Sequence, residues 1–243
     1  MDVATYLTEL EQHGVALGDA ADAAGMSAPV PTCPEWDVRA LLAHIGMVHR
    51  WATAQVRDGA AASPAAPFPA PESGVVEWYR DGHATLVQAL RDAPDDLDAM
   101  RFLADAGPAR VFWSRRQAHE TAIHRADAES AAGCVPDFDE TFAVDGIAEL
   151  LEGFYGRDSR RLRADPPISM RVAPTDAGTA WLIELTPDAK QITREADGRA
   201  DCTVSGAATQ LYRWLWNRGG EVTIEGDDRA CAVWRSTATV RWS

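Results

Sequence analysis

Residues 34–46 read Pro34-Glu35-Trp36-Asp37-Val38-Arg39-Ala40-Leu41-Leu42-Ala43-His44-Ile45-Gly46. Pro34 and Asp37 are helix start signals, and the apolar positions Val38, Leu41, Leu42, Ile45 and Ala52 recur at helical spacing. The spacing predicts an amphipathic helix over 36–56. This helix carries two histidines, His44 at the flank of the apolar stripe and His49 nearer its centre. They are five residues apart, so one ion is expected to use only one of them.

Outward from this helix the chain continues in the same style. Residues 3–24 place Val3, Leu7, Leu10, Val15 and Leu17 on a helix that ends in Gly25. Residues 60–74 are rich in alanine, proline and serine and read as an exposed loop. Further helices are expected over 75–90, stopped near Pro94, and over 109–128 and 139–155, the last with a stripe of Phe142, Ile147, Leu150, Leu151 and Phe154. Helices of this length and spacing suggest a four-helix bundle with one extra helix.

The pattern changes after residue 157. The charged segment 157–167 contains Pro166 and Pro167 and reads as a domain boundary. Strand-like runs follow at 168–172, 180–185, 200–204 and 221–224, with helices over 207–217 and 228–234. The expected fold class is α plus α+β: a helical bundle over 1–157 and a small α+β domain over 168–243.

Composition bounds the function. The 243 residues are 46% hydrophobic and 25% charged, with a formal net charge of -14. The acidic surface repels phosphate backbones, so nucleic-acid binding is disfavoured. No apolar run is long enough to span a bilayer, and residues 1–10 lack the basic start of a signal peptide. A cytoplasmic location is the expectation. Cys33, Cys134, Cys202 and Cys231 show no C-x-x-C spacing and read as small buried hydrophobes in a reducing compartment.

The chemistry concentrates in His119-Glu120-Thr121-Ala122-Ile123-His124. Glu120 and His124 are four apart, about 40° around one helix face, and can share a metal ion. His119 lies about 140° from His124 and cannot face that ion. The zincin H-E-x-x-H motif needs its histidines four apart, so a metalloprotease is rejected. A third ligand must come from another element. The second helix offers His44 or His49, and periodicity does not choose between them.

The 34–46 segment together with Glu120-x-x-x-His124 resembles the mycothiol-dependent maleylpyruvate isomerase family, whose N-terminal domain is similar to DinB-like metal-binding bundles. Residues 200–206 (Ala-Asp-Cys-Thr-Val-Ser-Gly) and 215–220 (Leu-Trp-Asn-Arg-Gly-Gly) resemble that family's sterol-carrier-like C-terminal domain. The resemblance covers nearly the whole chain. It implies His44, Glu120 and His124 as ligands of one divalent metal, zinc or an ion such as nickel, cobalt, iron or manganese. It implies mycothiol as the thiol that the metal activates, with no protein cysteine needed as nucleophile. It also implies Arg218 as the catalytic residue that holds a substrate carboxylate through its guanidinium fork. In the isomerase, thiol addition to the double bond of maleylpyruvate, rotation and elimination give fumarylpyruvate. Residues 113–119 resemble the broader branch of the family, so the expected reaction is isomerisation of, or thiol transfer to, a small electrophile.

Other readings accompany this one. The metal could stabilise a non-catalytic module that binds a small ligand, or could activate water in a hydrolase, with His119 or Glu35 as general base. Arg218 could simply end its helix. His13 and His83 are expected at the surface, His49 in the bundle interior, and His119, Arg115 and Arg116 on a solvated helix face. Trp36, Trp51, Trp78 and Trp113 are expected in the core.

Overall fold

The computed structural model describes residues 1–62, 68–103, 106–157, 162–194 and 198–238. Of the loop expected over 60–74, residues 63–67 lie outside the described residues, as do 158–161 of the segment expected as a domain boundary. The contacts divide the chain into two units, residues 1–102 with 106–136, and the rest.

The first unit is a four-helix bundle of α1 (Val3–Ala24), α2 (Val38–Asp58), α3 (Val75–Asp92) and α4 (Ala109–Ala131). Side-chain carboxylates start two of these helices: Asp2 accepts from the Thr5 amide at 2.9 Å, and Asp37 from the Ala40 amide at 2.8 Å. Each satisfies an amide that the first helical turn leaves without a partner. Leu17 and Ala21 of α1 meet Leu41, Leu42, Ile45 and Val48 of α2 and Val75, Val76 and Tyr79 of α3 in one buried cluster. Val15, expected on the inner stripe of α1, is 55% exposed. Its neighbours Leu10 and Leu17 are fully buried, and 3.6 residues per turn leave no room for Val15 on their face.

α4 has no polar face to speak of. From Phe112 to Ala128 nearly every residue is buried, including Arg116, His119, Glu120, His124 and Asp127. The solvated face expected for Arg116 and His119 is therefore corrected: both are fully buried. His13 and His83 are likewise interior, and His49 is fully buried as expected. His49 Nε2 pairs with Thr121 Oγ1 at 2.9 Å, and His83 Nε2 with the Leu10 carbonyl at 3.0 Å. Gly14 allows the His83 ring to lie against α1, since a Cβ there would overlap it.

The second unit contains α5 (Glu140–Ala148), which runs on into a π-helical turn, Glu149–Phe154. The 1–157 assignment places this helix in the bundle; instead it belongs with the C-terminal elements. The reason is its apolar stripe. Phe142 meets Tyr212 of α6 (Ala208–Leu215) edge to face at 6.3 Å, and Phe138 meets the same ring at 5.2 Å. The five-stranded sheet has the order β3-β2-β1-β4-β5. β1 (Ile168–Pro174) pairs antiparallel with β2 (Trp181–Leu185) and parallel with β4 (Cys202–Gly206). β3 (Lys190–Arg194) and β5 (Thr223–Gly226) form the edges, and α7 (Arg229–Thr237) follows. β3, Lys-Gln-Ile-Thr-Arg, has no apolar run to announce it because an edge strand need bury little.

The cysteines divide. Cys202 and Cys231 are buried thiols 3.7 Å apart, Cys33 is half-buried and Cys134 is exposed. The buried expectation is thus corrected for Cys134, which lies in the turn just beyond α4. No helix among the described residues is long and apolar enough to cross a membrane.

Candidate metal centre

α2 and α4 bring His44, Glu120 and His124 together. One ligand atom from each lies within 4.8 Å of the others. Glu120 Oε1 is 3.8 Å from His44 Nε2 and 3.4 Å from His124 Nε2. The His44 and His124 rings meet edge-on at 5.0 Å. Trp36, in the loop before α2, lies 4.9 Å from the His44 ring and 6.0 Å from the His124 ring. His49 takes no part, since its ring lies against Tyr79 and His83 of α3, each 5.6 Å away. Helical geometry requires this once His44 faces α4.

The donors suit a divalent cation. Oε1 of Glu120 is buried and makes no hydrogen bond among the described residues. A buried carboxylate oxygen left this way is costly, and a cation on it removes the cost. The other oxygen is engaged: Arg116 Nη2 donates to Glu120 Oε2 at 2.8 Å. Burial alone would raise the Glu120 carboxyl. The Arg116 guanidinium, with His124 and His44, outweighs it and holds the group well below its ordinary range. Glu120 is therefore ionised and ready to ligate.

His124 is held from behind. Its Nδ1 lies 2.9 Å from Asp127 Oδ2, a fully buried carboxylate. Thr32 Oγ1 donates to Asp127 Oδ1 at 2.6 Å, and Cys33 Sγ to Oδ2 at 3.7 Å. Burial by itself would lower His124, but the bond to Asp127 and the nearby Glu120 carboxylate push it up to about 9. In the chain without a cation the ring thus stays protonated near neutral pH, and a metal held there would have to displace that proton.

Sequence reasoning did not name Asp127. Its signal was present: Arg116, Glu120, His124 and Asp127 follow at spacings of four, four and three, which aligns them along α4. Arg218 stands in the second unit, just after α6. Asn217 takes the left-handed conformation, φ 59°, while the Arg218 amide donates to the Arg213 carbonyl at 2.8 Å and the Asn217 amide to the Trp214 carbonyl at 3.0 Å. This is a Schellman ending. The Arg218 guanidinium donates through Nη1 to the Trp216 carbonyl at 2.8 Å. His119 faces Tyr6 of α1, with the rings 6.4 Å apart, and Glu35 is exposed.

Comparison with known proteins agrees with this architecture. The crystal structure of a mycothiol-dependent maleylpyruvate isomerase superposes with a TM-score of 0.64 at 15% identity over 93% of each chain. A histidine-to-alanine mutant of such an isomerase superposes with a TM-score of 0.61 at 16% identity, again over 93% of each chain. No curated protein matches the chain. Residues 7–129 match the mycothiol maleylpyruvate isomerase N-terminal domain and residues 141–232 the C-terminal domain of the same proteins. With both domains matched in order, the chain belongs to the mycothiol maleylpyruvate isomerase family.

Proposed function

We propose that the chain is a mycothiol-dependent isomerase or S-transferase that holds one divalent metal, with zinc the first choice, on His44, Glu120 and His124. The observation that supports this most directly is Glu120 Oε1, a buried oxygen without a hydrogen bond that sits within 3.8 Å of two imidazole nitrogens. Two histidines and one carboxylate leave a coordination position open, which is the form of a catalytic zinc site. When bound, the metal supplies a Lewis acid that lowers the pKa of a thiol placed on the open position.

The chain's own residues do the rest. Arg116 keeps Glu120 ionised, Asp127 orients His124, and Trp36 packs against both imidazoles. Among the protein thiols, Cys202 is poorly suited to be the nucleophile: burial, together with Cys231, pushes it up to about 12. An exogenous thiol fits better, and mycothiol is the one named for the structural neighbours. Arg218 takes the role of holding a substrate carboxylate, supported by the likeness of its segment to the family's C-terminal domain and by the fork geometry of a guanidinium. The substrate class is a small carboxylated electrophile, with maleylpyruvate the first compound to try. A hydrolase would need a general base beside the metal, and neither His119, turned toward α1, nor the exposed Glu35 favours that reading.

The test is elemental analysis of the wild type and Glu120→Ala, then mycothiol titration of the cobalt-substituted protein. About one metal per chain, lost in the variant, with a sulfur-to-cobalt charge-transfer band, is expected. A wild type that takes up no metal overturns the reading, and a cobalt site blind to mycothiol moves the assignment away from thiol chemistry.

A further inference from the structure

Two buried charged side chains touch the ligand set without belonging to it. Arg116 is fully buried and sits one helical turn before Glu120. Its Nη2 occupies Oε2 at 2.8 Å and leaves Oε1 toward the histidines. Asp127 is fully buried and sits just under one turn after His124. It occupies Nδ1 at 2.9 Å and leaves Nε2 toward Glu120. In both cases a charged neighbour takes one of two candidate donor atoms, and so decides which atom the site presents.

We propose that Arg116 and Asp127 are positioning residues of the metal centre: Arg116 restricts Glu120 to ligation through one oxygen, and Asp127 fixes the His124 tautomer whose Nε2 carries the free lone pair. This rests on the ligand reading given above. A carboxylate accepts only, so His124 must place its proton on Nδ1 to pair with Asp127, and the lone pair is then on Nε2. A carboxylate with both oxygens free can chelate a cation and fill the position that a thiol needs. With Oε2 bonded to Arg116, Glu120 contributes a single donor, and three protein atoms ligate in place of four. The charges also match. Arg116 offsets one of the two carboxylates that face the centre, so a divalent ion leaves one positive charge for an incoming thiolate to neutralise.

Asp127 carries a second consequence. Thr32 and Cys33 both donate to it, and Trp36 rests on His44 and His124. The loop that leads into α2 is thereby tied to the same carboxylate that orients His124. The Val30 amide closes this loop on the Trp36 carbonyl at 3.0 Å. Ligand orientation and loop position are set by one buried group.

The experiment uses metal-free full-length protein. Zinc affinity is measured by competition with a chromophoric chelator, coordination by the visible spectrum of the cobalt(II) form, and tautomer by ¹⁵N NMR of the histidine rings in the zinc form. Asp127→Asn is expected to weaken zinc binding by about 10–100-fold, as loss of an outer partner to a metal-bound histidine does, and to disturb the His124 ring shifts. Arg116→Met is expected to shift the cobalt spectrum toward higher coordination as Oε2 becomes free, and Arg116→Lys to restore part of the wild-type spectrum. Because Arg116 is buried, Asp127→Asn decides the matter through zinc affinity and ring shifts if the methionine variant does not fold. Wild-type zinc affinity and unchanged His124 ring shifts in folded Asp127→Asn, with an unchanged cobalt spectrum in folded Arg116→Met, would overturn the positioning role while leaving the ligands in place. Failure of the wild type itself to bind zinc or cobalt would instead overturn the ligand reading, and this proposal with it.

Discussion

Arg116 donates to Glu120 Oε2 at 2.8 Å across one turn of α4, and both side chains are shut away from solvent. A buried pair of this kind is worth little over a well-packed apolar pair, but removing one partner alone is severe. Glu120→Ala takes away the carboxylate opposite a buried guanidinium, so it is expected to cost about 3–5 kcal/mol of stability even in metal-free protein. Glu120→Gln keeps an oxygen for Arg116 and is expected to cost clearly less. Urea unfolding of the two variants without metal checks this. Equal losses would mean that the ion pair contributes nothing particular.

Stability should fall in mild acid. His49 is held well below its ordinary range by burial and by the neighbouring His83, with Glu120 acting the other way and His124 and Arg50 adding to the fall. His83 and His13 are lowered by burial too, against the Leu10 carbonyl and Glu9 respectively. Their native pKa values lie below the unfolded value of about 6.5, so below that pH the unfolded chain binds protons that the native chain refuses. Each such histidine removes up to about 1.4 kcal/mol per pH unit as pH falls from about 6.5 toward its native value. His124 has the opposite sign. Raised to about 9, it stabilises the metal-free protein fully below about pH 6.5 and loses that contribution as pH rises through 9. Urea unfolding of metal-free protein at pH 6.5 and 5 is expected to show a drop that His49→Gln reduces. An unchanged drop in that variant would remove His49 from the account.

Much of this was legible in the residues. The C-terminal end of helix 3–24 could be read because Gly25 stops it, although Val15 of its apolar set faces solvent. The grouping of Glu120 with His124 on one side of α4 was legible because residues four apart share a helix face. The choice of His44 over His49 was not, since two histidines 140° apart on one helix both suit a bundle and only the packing of α2 against α3 and α4 sets His44 beside Glu120 and His49 against Tyr79 and His83. Arg116, His119, His13 and His83 were misread for one reason. Charged and polar side chains favour water on average, and a helix buried on all sides overrides that average only where partners such as Glu120 or the Leu10 carbonyl meet them. α5 misled at the level of domains, because an amphipathic stripe says that a helix is buried but not against what.

Gly14 should resist even the smallest side chain. Helix propensity alone favours Gly14→Ala by about 1 kcal/mol. A Cβ at that position would overlap the His83 ring, which is buried and bonded to the Leu10 carbonyl at 3.0 Å and so has little freedom to retreat. The net effect is expected to be destabilisation, with overpacking costing about 1–3 kcal/mol. Gly25→Ala is a useful contrast, since nothing lies within 4 Å of a Cβ there and only its φ of 86° opposes the change. A thermal melt in which Gly14→Ala is more stable than wild type would show that α1 and α3 can separate without penalty.

Arg218 is the residue whose role separates substrate binding from metal binding. The turn that carries it is built on backbone bonds, from Arg218 to Arg213 and from Asn217 to Trp214, and a side-chain substitution leaves both in place. Its Nη1 bond to the Trp216 carbonyl lies at the end of α6, and loss of that bond is expected to cost about 1 kcal/mol of stability. If the guanidinium instead holds a carboxylate of the substrate, the same variant should raise KM or lower kcat by about 100-fold or more toward a carboxylated electrophile, the scale of a lost charged hydrogen-bond pair. It should react almost unchanged with an uncharged electrophile and mycothiol, and its zinc content should stay at the wild-type level. Arg218→Lys keeps the charge but not the fork and is expected to recover only part of the loss. A variant equally impaired toward both electrophiles would assign Arg218 to the shape of the α6 ending, and one impaired toward neither would leave the substrate carboxylate to another residue.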